Sequence, residues 1–265
     1  MDSAAVSYAD RVRCERPSPH VLLIRFDRAE KRNAMHSSMV IELARLLDSA
    51  VADGEIRAVV VTGAEDCFSA GADLNEMREH GYANVVNNPA RVDAWRRFEK
   101  FPKPIIAAVN GIAFGAGCEI SLACDFIIAG KNAQFGQPEV KVGGMAGDGG
   151  TQRLPRKAGI ALASYMLLTG EPIDAEAAFR AGLVVEVCDV PRTVERSVEI
   201  ASLIAKRAPL AVQFTKACIK VATGATWENG LAFERESLWR NSMTSDRQEG
   251  IKAFAEKREP KFIGR

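Results

Sequence analysis

Four short apolar runs set the strongest limit on what this chain can fold into: VLLIRF at 21–26, IRAVVVTG at 56–63, PIIAAVNG at 104–111 and FIIAG at 126–130. Each is rich in branched side chains and shows no apolar–polar alternation, the pattern of a strand covered on both faces. Such strands need helices on either side. The chain supplies them: SSMVIELARLLDSAVAD places Met39, Leu43, Leu46, Leu47 and Ala50 at helical spacing, a second helical stretch spans about 89–100, and CEISLACD follows Gly117. AQFG at 133–136 reads as a further short strand. The strand–helix alternation predicts an α/β fold.

Beyond residue 190 the pattern changes. VERSVEIASLIAKRA, LAVQFTKACIKVA, TWENGLAFERESLWR and SDRQEGIKAFAEKR all carry helical spacing with no strand between them. Pro209 suits the first turn of one of these helices, and Gly224 and Gly230 are expected to punctuate the next ones. The expected organisation is a core over residues 1–200 and a helical C-terminal region over 201–265. A length of 265 residues fits one large domain with such an appendage.

With 35 basic and 34 acidic side chains there is no bulk field to attract a polyanion, so an anionic ligand must be met by local groups. The opening segment MDSAAVSYADRVRCERPSPH has no apolar stretch, and no window approaches the roughly 18 apolar residues of a membrane span. The expectation is a cytoplasmic protein with no membrane partner. Six scattered cysteines without a CxxC pair and three distant histidines argue against a metal site and for buried free thiols.

Glycine density marks where chemistry is expected, because glycine lets a backbone approach a ligand. Three segments stand out: FSAGADL (68–74), NGIAFGAGCE (110–119) and QPEVKVGGMAGDGGTQRLP (137–155). The middle one mimics a nucleotide-binding glycine turn. A short-chain dehydrogenase would also need Tyr-x-x-x-Lys, yet Tyr8, Tyr82 and Tyr165 are followed four residues on by Val12, Val86 and Thr169. No GxSxG elbow, Walker A loop or HExxH occurs. What the segments do offer is backbone N–H donors at Ala72 and Ala116 beside the carboxylates Glu119 and Glu139, the parts needed to stabilise an oxyanion while moving protons.

Together AGAD (70–73), PIIAAVNGIAFGAGCEISLACD (104–125) and AQFGQPEVKVGG through GDGGTQRLPR (133–156) resemble the signature segments of the crotonase, or enoyl-CoA hydratase and isomerase, superfamily. The resemblance runs from DRAEKRNAM (27–35) to GIKAFAEKREPKF (250–262). It implies a spiral of ββα repeats with a helical C-terminal trimerisation segment. It implies an oxyanion hole made by the N–H groups of Ala72 and Ala116, with Glu119 and Glu139 as the catalytic pair that hydratases use to add water to a 2-enoyl-CoA. From the resemblance, Glu139 is expected to hold the proton-donor role and Glu119 the base role. Ala70, Asp73 and Leu74 match the substrate-binding turn, and Gly147 matches a glycine whose N–H helps to place the water. Lys31, Arg32, Phe254 and Lys257 match positions that contact coenzyme A, the last two from a neighbouring subunit. Coenzyme A belongs to the substrate, so no separate cofactor is implied.

Asp148 stands where alanine is frequent in the family. As a turn or helix-cap residue it has a simple explanation, and as an added carboxylate it keeps an isomerase or a specialised dehydratase in view. The resemblance also implies a homotrimer or a dimer of trimers, for which Phe233, Leu238 and Trp239 are candidate contacts. Two rival functions stand further off: a non-catalytic acyl-CoA binder, and an RNA binder using Arg91, Arg96, Arg97, Lys100 and Lys103 as a basic helix face. The balanced charge argues against a nucleic-acid partner.

Overall fold

The computed structural model describes residues 8–265, so the first seven residues of the opening segment lie outside the described residues. Strands β1 (Val12–Ser18) and β2 (Val21–Phe26) form an antiparallel pair, followed by helix α1 (Ser37–Ala52). Three repeats of one design come next. β3 (Ala58–Thr62) and β4 (Cys67–Ser69) lead into α2 (Leu74–His80), α3 (Tyr82–Val86) and α4 (Pro89–Lys100). β5 (Ile105–Val109) and β6 (Ile112–Phe114) lead into α5 (Ala116–Ala123). β7 (Phe126–Gly130) and β8 (Gln134–Gly136) lead through a 3-10 turn (Pro138–Val142) into α6 (Gly150–Ala158) and α7 (Ile160–Thr169).

In every repeat the first strand joins one sheet and the second joins another. The larger sheet has the order β1-β2-β3-β5-β7-β10 and the smaller β4-β6-β8-β9, completed by β9 (Ile173–Asp174), α8 (Ala175–Arg180) and β10 (Glu186–Cys188). The parallel registers Val59↔Ile105 and Ala107↔Ile127 in one sheet are echoed by Cys67↔Ile112 and Ile112↔Gln134 in the other. This is the expected spiral of ββα units.

The continuous apolar runs have a direct explanation. Along β3 and β5, Val59, Val61, Ile105 and Ala107 face the core built with α1, α4 and α5, while Ala58, Val60, Ile106 and Ala108 face the opposite side. That second face is covered by α9 (Arg192–Ala205), which buries Ala201 and Ala205 against it. Both faces are buried, and the one polar residue of β3, Thr62, donates its hydroxyl to the Ala108 carbonyl at 2.9 Å. Helix α9 crosses residue 200 and packs on the sheet.

The remaining helices α10 (Pro209–Ala222), α11 (Trp227–Ser242) and α12 (Ser245–Ala255) are tied back by polar contacts. Lys216 reaches Asp125 Oδ2 at 2.8 Å and the carbonyl of Lys103 at 2.6 Å, above the ring of Phe101. Asp246 accepts the N–H groups of Ile263 and Gly264, which folds the last residues onto α12. Pro209 opens α10, and Gly224 separates it from α11. Gly230, by contrast, lies inside α11, because the Thr226 side chain already caps that helix upstream at Asn229.

Large apolar side chains remain exposed on this appendage, including Trp227, Leu238, Trp239, Met243 and Phe254. Of the cysteines, Cys67, Cys118 and Cys124 are buried free thiols, whereas Cys14 is exposed on β1. Among the described residues no helix is long and apolar enough to cross a membrane, and no cluster of His, Cys, Asp and Glu converges as a metal site.

The contact of α5 with β4 leaves no room for a side chain at Gly117. A Cβ there would stand 2.6 Å from Ser69 Cβ and 2.7 Å from its carbonyl oxygen. Gly117→Ala is expected to cost about 1–3 kcal/mol of stability, the range for overpacking a tight interior. Denaturant unfolding of the variant against the parent measures it.

Candidate active site

The first wall of the site is the turn between β4 and α2. The backbone of residues 28–35 runs beside it: Ala70 N–H donates to the Arg32 carbonyl at 2.9 Å, Met35 N–H to Gly71 at 2.7 Å, and Asp73 N–H to Met35 at 3.0 Å. Gly71 and Asp73 thus spend their polar groups on Met35, and the N–H of Ala72 between them points the other way. Gly71 has φ +105°, a conformation that favours glycine. Asp73 caps α2 by accepting the Asn75 N–H at 2.9 Å, and its other oxygen takes Arg28 Nη1 at 2.6 Å, both side chains being buried.

The second wall is the turn between β6 and α5. Gly115, at φ +50°, precedes the helix without any side-chain cap, so the Ala116 N–H at the first helical position has no partner in its own helix. A Cβ placed on Gly71 would lie 3.6 Å from Gly115 Cα, and one on Gly115 would lie 3.7 Å from Gly71 Cα. The two turns therefore abut backbone to backbone. Ala72 and Ala116 both line a cavity of about 490 Å³, so a carbonyl oxygen can be received by two peptide donors at once.

Both glutamates line the same cavity. Glu119 stands one turn into α5 and is 2% exposed; its Oε1 accepts the N–H groups of Asp148 and Gly150, each at 2.8 Å. Glu139 enters from the 3-10 turn after β8 and is half-buried; a Cβ on Gly115 would come within 3.0 Å of its Oε1. The amide nitrogen of Gln137, turned toward Glu139, lies 3.1 Å from Oε1 and 3.3 Å from Oε2.

Burial pushes the carboxyl of Glu119 up to about 8, and the nearby charge of Asp148 adds to the shift against the pull of the Gly150 and Asp148 amides. Burial, and then Asp148, also raise Glu139 above the usual carboxyl range. In this chain the more deeply buried Glu119 has the strong claim on a proton at neutral pH. The expected assignment gave the donor role to Glu139 and the base role to Glu119, and the order of proton affinity that burial sets runs the other way.

Asp148 lies in the bend just before Gly149, the cap residue of α6, but its side chain caps nothing. Its carboxylate forms a two-pronged ion pair with Arg91 of α4, with Arg91 Nη1 2.9 Å from Oδ1 and Nη2 on Oδ2. Arg91, Asp148, Gly147 and Leu74 line the cavity, as do Tyr82 and Val86 at the two ends of α3. Asp73 lines none of it, since its carboxylate is turned to Arg28 and the α2 cap. Lys31 and Arg32 are exposed on the loop that holds the Ala70 turn. Phe254 and Lys257 sit on and just after α12, outside the cavity lining of this chain, and Phe254 is 88% exposed.

Sequence reasoning missed Arg91 as a cavity residue and read it as part of a basic surface. The signal was present: Arg91 shares the helical stripe of Ala94 and Phe98, which are buried. Lys103 is also buried, donating to the carbonyls of Ala50, Asp53 and Ile56 at the end of α1, and Arg97 pairs with Asp48 and Asp93. The five cations proposed for one face are thus dispersed. Gln137 and Arg28 were missed as well, one lying beside Glu139 and the other holding Asp73.

The same fold is found in known proteins. Residues 17–265 match the enoyl-CoA hydratase/isomerase family. The chain is 45% identical to the 2,3-dehydroadipyl-CoA hydratase of Escherichia coli K12, over 92% of this chain and 96% of that one. It is 38% identical to the mitochondrial enoyl-CoA hydratase of Pongo abelii, over 91% and 82% of the two chains. The crystal structure of an enoyl-CoA hydratase from Bacillus anthracis superposes with a TM-score of 0.91 at 37% identity, covering 96% of this chain and all of that one. With its spiral of ββα units and near full-length match, the chain belongs to the enoyl-CoA hydratase/isomerase family of the crotonase superfamily.

Proposed function

We propose that this chain is an enoyl-CoA hydratase, adding water reversibly across the 2,3 double bond of a 2-enoyl-CoA. One observation carries the reading: two protonatable carboxylates, Glu119 and Glu139, share a cavity with the inward N–H groups of Ala72 and Ala116. The thioester oxygen sits between the two amides, which stabilise the negative charge that builds there as C3 is attacked. The two carboxylates hold one proton between them. Ionised Glu139 takes a proton from the attacking water, Glu119 gives its proton to C2, and the transfers run backwards in the dehydration direction. Gly147, in the cavity wall, helps to place the water.

The carbonyl of Ala70 reads the adenine amino group, Leu74 covers the coenzyme at the cavity mouth, and Asp73 acts on that turn through its cap and its bond to Arg28. Lys31 and Arg32 meet the phosphates. Phe254 and Lys257 complete the coenzyme site of a neighbouring subunit. Coenzyme A is carried by the substrate, and no further cofactor takes part. The relative from Escherichia coli is named for a dehydroadipyl thioester, so a 2-enoyl-CoA with a carboxylate at the far end belongs in the substrate panel beside crotonyl-CoA and longer chains. A reducing compartment, the cytoplasm, suits six unpaired thiols.

Residues 201–265 serve as the assembly segment on the 1–200 core, giving a trimer or a dimer of trimers. Support comes from the exposed large apolar side chains of Trp227, Leu238, Trp239 and Phe254 on these helices, the kind of surface that marks an interaction site where it is contiguous. Phe233 lies at its margin. Sedimentation is expected to give a mass of three or six chains, and a monomer would refute the assembly.

Glu119→Gln and Glu139→Gln are each expected to lower the hydration rate of crotonyl-CoA by about 10²-fold or more, read from the loss of 2-enoyl absorbance. A wild-type rate in either variant would end its catalytic role. The buried carboxyl also makes a stability prediction. The Glu119 carboxyl is raised from an ordinary value of 4.5 to about 8, so its contribution to folding is full below pH 4.5 and lost as the pH rises toward 8. Glu119→Gln removes that loss. Its melting temperature relative to wild type should therefore climb between pH 5 and pH 8 and level off above, in scans at matched ionic strength.

A further inference from the structure

Arg91 and Asp148 are 57 residues apart and meet as a buried ion pair, with side chains 7% and 15% exposed. Asp148 is engaged through every polar group it has. Its carboxylate is held by Arg91, its N–H donates to Glu119 Oε1 at 2.8 Å, and its carbonyl accepts Arg153 Nη1 at 2.8 Å. Two residues on, Gly150 gives Glu119 its second N–H. The loop that carries these donors contains Gly143, Gly144, Gly147 and Gly149, a composition with too much conformational freedom to hold two amides on one oxygen without an anchor. Arg91 provides that anchor from a helix whose inward stripe is packed into the core.

The charged and titratable groups around the two glutamates are Asp148 on the loop, Cys118 on α5, Lys141 in the cavity wall and each glutamate for the other, while Arg91 on α4 and Arg153 on α6, itself paired with Glu99, bond to Asp148. The Asp148 carboxylate raises the proton affinity of both. An alanine at 148 would supply the amide and no charge.

We propose that Asp148, held by Arg91, is a positioning residue for the glutamate pair, fixing the amides that hold Glu119 and placing a third carboxylate beside Glu119 and Glu139. Only the kinetic arm of its test rests on the hydratase reading. The two members of the ion pair then act on the glutamates with opposite sign. Removing Asp148 leaves Arg91 alone to favour ionised carboxylates, and removing Arg91 leaves Asp148 alone to disfavour them.

The test is a carbon-13 NMR titration of the glutamate carboxyls in the free protein, assigned through Glu119→Gln and Glu139→Gln, with the pH profile of kcat/KM for crotonyl-CoA measured alongside. Asp148→Asn is expected to lower the Glu119 midpoint by about one pH unit or more, and Arg91→Met to raise it by a similar amount, the usual effect of one charge at close range. The alkaline limb of the kinetic profile should move with it. The double variant carries no unpaired charge and should titrate between Asp148→Asn and wild type, which keeps the test open if a single variant does not fold. Midpoints that stay put, or that move the same way in both single variants, would overturn the proposal. Opposite shifts in a protein that fails to hydrate crotonyl-CoA would sustain it and sink the hydratase reading instead.

Discussion

The backbone of the turn after β4 touches the backbone of the turn after β6, and the chemistry of the cavity depends on that contact. Peptide donors cannot be moved about like side chains; they go where the chain goes. Two of them can face one oxygen only if two turns from successive repeats come within van der Waals reach, which requires glycine at both Gly71 and Gly115. The spiral satisfies this by construction. β4 and β6 are adjacent parallel strands, so the turns that follow them leave the sheet side by side and in the same direction. The bond network between residues 28–35 and the first turn then removes the remaining freedom, because Gly71 and Asp73 are both committed to Met35 and only the Ala72 amide is left to face inward.

The cost of the site is concentrated in α5. A carboxylate that is 2% exposed is unfavourable when ionised, and its two backbone donors offset only part of the desolvation. Glu119 consequently holds its proton to about pH 8, while Glu139, with more access to solvent and a neutral amide at hand, is raised by less complete burial. Two identical side chains lining one cavity acquire different proton affinities, chiefly from depth. The stability lost at Glu119 is tolerable because α5 is gripped elsewhere, by the close approach of Gly117 to Ser69 and by the burial of Cys118, Ile120 and Leu122.

Much of this was legible in the sequence, and the limits have physical causes. The strands could be read because burial on both faces forces continuous apolar residues, a one-dimensional signature. The abutting turns could be read because a positive φ or a close contact selects glycine. What could not be read were pairings across long separations. Nothing near Arg91 announces Asp148, and nothing near Arg28 announces Asp73, because an ion pair leaves no periodicity. The order of proton affinity in the glutamate pair was equally hidden, since it depends on how much of each carboxyl the fold covers. The helical tail shows both sides of this: its helices were plain from spacing, yet α9 gave no sign in the sequence that its partner is the back of the sheet.

Charge is handled in this molecule by place rather than by total. The net charge of +1 predicts indifference to polyanions, yet exposed Lys31 and Arg32 stand on the loop that fixes the Ala70 turn, and Lys257 follows the exposed helix α12. Cations buried in the body serve other ends: Lys103 closes α1, Lys216 holds α10 to Asp125, and Arg91 holds the glycine-rich loop. Each of these is matched inside the chain by an anion or by several carbonyls, so burying them adds little to the outside field. Cations left in solvent can then act over a short screened distance on a ligand's phosphates. Lys31 and Arg32 stand in solvent beside the Ala70 turn, while the cavity itself is lined by the carboxylates Glu119, Glu139 and Asp148. Exposed cations on the loop and carboxylates in the cavity are kept apart by the fold, so the charge that faces solvent and the charge that raises the proton affinity of Glu119 are set independently.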